Sequence, residues 1–120
     1  AATLEDGLYV HEKNMSDAAF KDKMVRFVRA SMKGWKYAEN NISEAAQIVV
    51  DNDESGAQTV DHNTIQMGEI AKLTAGSNGA LSEADFNRTV SSLMTGGKDP
   101  VITKMPSGAW THVITDAALN

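Results

Sequence analysis

A chain of 120 residues, 42% apolar and 22% charged, is long enough to bury one core and has a globular balance, so a single folded unit over residues 1–120 is expected. Eleven basic against sixteen acidic side chains leave a net charge of -5, which argues against nucleic acid as a partner. The chain has no cysteine, which excludes disulfides and thiolate zinc sites, and no apolar run approaches the roughly 20 residues of a membrane span. It opens on Ala1 and Ala2 with no signal peptide, as a processed protein or a segment of a longer one would.

In chain order, "GLYVHE" at 7–12 is the best strand signal, with Leu8 and Val10 on one side and Tyr9 and His11 on the other. Everything after it reads as helical. From Ser16 to about Asn40, Phe20, Met24, Phe27, Val28, Trp35 and Ala38 recur at helical spacing. Gly34 interrupts that stretch at about 1 kcal/mol relative to Ala, which predicts a close packing contact there. A second helix is expected from Asn41, with Glu44 three residues on in a capping-box arrangement, to about Val50. A third spans about Val60 to Leu73, with Ile65, Ile70 and Leu73 inward. The fourth has Ser82 as N-cap, Asp85 three residues on, Leu81 placed to staple onto Phe86, and a core face of Phe86, Val90 and Leu93 that ends at "TGG". Past Pro100 and Pro106, a short last helix is expected around Trp110 to Leu119.

The segment "DNDESGAQTVDH" at 51–62 has the shape of a calcium loop: Asp51, Asp53 and Ser55 stand at loop positions 1, 3 and 5, and Gly56 at 6. Position 12 is His62, a nitrogen donor that a hard cation disfavours, and Asp61 is one residue out of register. A partial second loop, "TAGSNGALSEADF", would offer Thr74 and Gly76 where the main carboxylates belong. The two loops would begin at 51 and 74, so after a 12-residue loop about 11 residues remain, one average helix where a pair of EF-hands needs two. Turn chemistry explains the same residues, since Asp, Asn, Ser and Gly build helix linkers.

His11, His62 and His112 fall on different elements, without the i, i+4 spacing of helical metal ligands. There is no G-x-S-x-G elbow, P-loop or cysteine nucleophile, and Asp51 and Asp53 read as solvated turn residues rather than as general acids. No enzyme, metal or cofactor is expected. The six Met residues and the Phe/Trp stripe read as core fillers.

The segment "FKDKMVRFVRASMKGWKYAENNISEAAQIVVDND" resembles, in order, part of the ABC-transporter substrate-binding proteins of the branch that binds thiamine pyrimidine precursors, nitrate, taurine and alkanesulfonates. In that family an "F-V-R-A-x-x-K-G-W-x-Y-A" helix, here Phe27 to Ala38, precedes "E-N-(N/P)-x-E-A-A-x-I-V", here Glu39 to Val49. The likeness continues through "GALSEADFNRTV" and the "P-V-I … D-A-A-L" ending, and covers about residues 7–119.

The resemblance implies a two-lobed α/β protein of the type II periplasmic-binding fold, well over twice this length, that closes on a small organic ligand and delivers it to an ABC permease in the membrane. This chain matches only the C-terminal part of lobe one: hinge and returning strand over 1–12, then a helical part over 16–119, mostly α with about five helices. Thr3, Glu5 and Asp6 would then stand at the hinge as the ligand-binding candidates, and the location would be periplasmic or extracellular and membrane-associated. Cut from its sheet, the 8–12 strand and an apolar patch of Phe20, Phe27 and Trp35 would favour a homodimer or larger assembly. Two other readings stay open: a self-contained helical domain that binds a protein through the Phe/Trp stripe, and a single-loop calcium-binding protein.

Overall fold

A computed structural model describes residues 7–119. Within them the protein is mostly helical, with five α-helices, α1 (Ala18–Asn40), α2 (Ile42–Asp51), α3 (Val60–Thr74), α4 (Glu83–Thr95) and α5 (Val113–Leu119), preceded by a 3₁₀ turn over Glu12–Ser16. No strand forms among the described residues, which corrects the expected strand at Leu8–Glu12. A strand is held by a ladder to a neighbour, and among the described residues none pairs with this segment. Tyr9 stays 83% exposed, and Leu8 and Val10 are exposed as well. His11 keeps an extended backbone, but its carbonyl accepts the Asn14 amide at 3.0 Å, which draws Glu12 into the 3₁₀ turn.

Asp17 opens α1. Its Oδ1 accepts the amides of Ala19 at 2.8 Å and Phe20 at 3.3 Å, two of the donors a helix start leaves unpaired. Phe20 and Met24 are half-buried and Val28 is buried, one stripe at a spacing of four. Phe27 and Trp35, read from the sequence as part of that stripe, lie largely exposed. Gly34 meets no neighbour where a Cβ would stand, so the close contact expected there is absent and its helix cost has no packing return.

The described residues fall into two compact units, one of residues 7–25 and 80–118, the other of 26–79 with Leu119. In the second unit α2 packs on α3, with Ala45 and Ala46 of α2 buried. Of the three residues expected on the inward face of α3, Ile70 is half-buried as read and Ile65 and Leu73 are not. Ile65 is 69% and Leu73 84% exposed, while Asn63 is buried and Met67, Ile70 and Thr74 are half-buried behind it. In the first unit α4 buries Val90 and α5 buries Ala118.

The start of α4 is as read: the Ser82 hydroxyl accepts the Asp85 amide at 3.3 Å. α5 starts later than expected because residues 110–112 are committed elsewhere. Trp110 meets Phe86 edge-on at 6.2 Å and His112 at 4.7 Å, and His112 Nε2 lies 2.7 Å from the Leu81 carbonyl. A carbonyl only accepts, so Nε2 carries the proton.

Candidate functional site

The α2–α3 loop, the α2–α3 groove and the three histidines hold the chemistry-bearing side chains that the sequence singled out. The hinge candidates Thr3, Glu5 and Asp6 lie outside the described residues.

In the loop the carboxylates are turned onto the protein's own donors. Asp53 Oδ1 accepts the Ser55 amide at 2.9 Å and the Ser55 hydroxyl at 2.6 Å, and its Oδ2 accepts the Gln58 amide at 2.7 Å. The Ser55 hydroxyl and then the Gln58 amide hold the Asp53 carboxyl below the usual carboxylate range, because each bond favours the charged form. Gly56 takes φ 67, the left-handed turn that suits glycine. Asp51 faces α2, where Gln47 Nε2 donates to it at 2.7 Å. His62, at the twelfth position, is exposed in the first turn of α3, and its amide donates to the Thr59 hydroxyl at 3.3 Å. Asp51 and Asp53 therefore each face a different local partner, while His62 is exposed. Among the described residues no group of three or more His, Asp or Glu converges to hold a metal ion.

Asn63 is the residue that sequence reading missed. It is 2% exposed, and its Nδ2 donates to Gln58 Oε1 and to the Thr59 carbonyl, both at 2.9 Å. The amide ties the first turn of α3 to the loop that feeds it, and so rotates the face at 63, 67, 70 and 74 inward. The available signal is the spacing of four, three and four from Asn63 to Thr74, which crosses the apolar Ile65 and Leu73 instead of following them. An open groove of about 620 Å³ runs along this pair of helices, lined by Ile48, Asn52, Asp53, Asn63, Met67 and Ile70 among others. With Asp53 and the Asn63 amide engaged locally, Ile48, Met67 and Ile70 supply a strip suited to apolar contact.

Glu39 joins the ends of α1 and α3. The Thr74 hydroxyl lies 2.9 Å from its Oε1, and Lys36 Nζ donates to its Oε2 at 3.2 Å. The Thr74 hydroxyl first, and Lys36 second, hold the Glu39 carboxyl below its ordinary range. Asn41 stands at the N-cap of α2 without capping it, because its Nδ2 donates to the Tyr37 carbonyl at 2.8 Å. Glu44 likewise leaves the expected capping box. Its carboxylate takes the Tyr37 hydroxyl, a bond that raises the phenol above its usual pKa.

His11 is exposed and His112 is half-buried in the Phe86–Trp110 cluster, so the three histidines serve three separate places. Comparison of the chain with protein-family models, with curated proteins and with solved structures returned no match.

Proposed function

We propose that this chain is the C-terminal part of lobe one of a two-lobed solute-binding protein serving an ABC importer, of the class that carries thiamine precursors, nitrate, taurine or sulfonates. The observation that carries the reading is the ordered set of motifs: Phe27 to Ala38, Glu39 to Val49, Gly79 to Val90, and the final Asp116 to Leu119. Two features of the chain agree with it. The motifs fall on helices in the order the family uses them, in α1, α2, α4 and α5. The exposed "GLYVH" segment has the composition of a strand and no strand partner among the described residues, as a strand separated from its sheet would.

In such a protein the ligand sits between two lobes, and hinge closure joins binding to docking on the membrane permease. This chain supplies one wall of that cleft, so the isolated 120 residues are not expected to hold solute. A thermal-shift screen with thiamine precursors, nitrate, taurine and alkanesulfonates separates the parts of the proposal. The native gene product should be stabilised by one of these solutes and the 120-residue chain by none. A native product stabilised by none overturns the ligand class, and a 120-residue chain stabilised by one overturns the missing wall.

A further inference from the structure

The charge of this chain is unevenly placed. α1 carries six basic and two acidic residues, a net charge of +4, so the remainder carries five basic and fourteen acidic, a net charge of -9. Four of the six cations, Arg26, Arg29, Lys33 and Lys36, repeat at spacings of three, four and three. At 3.6 residues per turn they fall within an arc of roughly 80° and run for about 15 Å along the axis. All four are exposed, Lys36 with 75% of its side chain in solvent.

Beside that stripe runs a second one at the same spacing: Phe27, Ala30, Gly34 and Tyr37. These four are exposed as well, Phe27 to 53%. Gly34 leaves a flat place between the two rings, with nothing within 4 Å of where a Cβ would stand. The exposed side of α1 from 26 to 37 is thus a cationic row against a weakly apolar aromatic row. A helix that lies in a lipid headgroup layer has this arrangement, its cations near the phosphates and its aromatic rings at the acyl boundary.

We propose that this face of α1 binds the surface of an anionic phospholipid bilayer. The inference concerns the chain as it stands and does not rest on the transport reading above. Ion pairs along the helix do not cancel the attraction, because the net charge of +4 already counts Asp22 and Glu39. Glu44 of α2 does lie against this face, its carboxylate on the Tyr37 hydroxyl, but Arg26, Arg29, Lys33 and Lys36 against Glu39 and Glu44 still leave the face positive, and charges beyond a Debye length of about 8 Å at physiological salt are screened. Lipid suits the face better than a nucleic acid because the apolar row has a place in a bilayer and the helix offers no groove to track a strand.

Sedimentation with vesicles of phosphatidylcholine, alone or mixed with phosphatidylglycerol, tests the proposal. The chain should pellet with the mixed vesicles and not with the neutral ones, and about 1 M salt should release it, where the Debye length falls to about 3 Å. Lys33→Gln and Lys36→Gln should each lower the partition coefficient about fivefold. Phe27→Ser should weaken binding while leaving its salt dependence in place, and Lys72→Gln on α3 should change nothing. Circular dichroism confirms that each variant is helical. Equal partition to neutral vesicles, absence of binding to the mixed ones, a folded Lys33→Gln/Lys36→Gln variant that binds as the wild type does, or displacement of the lipid by a single-stranded oligonucleotide would each overturn it.

Discussion

Gly34 and Gly79 both stand in the motifs on which the proposed function rests, yet their surroundings are opposite. Gly34 is mid-helix with open space around its Cα, whereas Gly79 has φ 82 and the Met32 side chain where its Cβ would be. Alanine at 34 should therefore raise stability by about 1 kcal/mol through helix propensity alone. Alanine at 79 should lower it by about 1–2 kcal/mol for the left-handed backbone, before Met32 moves. Denaturant unfolding of the two variants reads both signs. Asp53 is the second residue-level test. Its carboxylate gathers Ser55 and Gln58, so Asp53→Ala should loosen the α2–α3 loop and lower the melting temperature by a few degrees. Asp53 and Glu39 both have folded-state values below their ordinary ones. The stability they contribute is complete above the usual carboxylate range, near pH 4, and is lost as the pH falls through the lowered values. Thermal melts from neutral to acidic pH should fall more steeply for the wild type than for Asp53→Ala.

Among the described residues a side chain caps the start of α1, α3 and α4, whereas the start of α2 has no such cap. Ser82→Ala should cost about 1 kcal/mol, since its hydroxyl holds the Asp85 amide. Asn41→Ala should not remove a cap, because the Asn41 amide is spent on the Tyr37 carbonyl, and an unfolding series that ranks Asn41→Ala above Ser82→Ala would contradict this assignment. The comparison also shows what the sequence could convey. Ser82, the apolar face at Val90 and the "TGG" stop are local signals, and all three were legible. Asn41 with Glu44 has the same letters in the right register, but Tyr37 lies one helical turn upstream and takes both side chains, a competition that spacing alone does not rank. The face of α3 was misread for a similar reason. Apolar Ile65 and Leu73 suggested an inward side, while the Asn63 amide, bonded to Gln58 and Thr59, turned another side in. The loop itself was legible as turn chemistry, although the partners that occupy Asp51 and Asp53 were visible only in three dimensions.

At the scale of the molecule, the exposed Leu8–Val10 segment and the proposed function lead to one expectation. Extended backbone with open N–H and C=O groups is a template for pairing, and a second copy offers the same edge about a two-fold axis. The isolated chain should self-associate through Leu8–Val10, ahead of the 3₁₀ turn that begins at Glu12, and Val10→Pro, which removes a donor, should weaken that association. Light scattering over a dilution series checks both, with a wild type that stays monomeric at high concentration as the contrary result. The central claim is that these 120 residues are part of a two-lobed transport protein. It is tested most directly by the intact mass of the native protein captured from cells with an antibody raised against this chain. The account predicts a species of well over twice 12.9 kDa, and a native protein of 12.9 kDa as the sole product would contradict it.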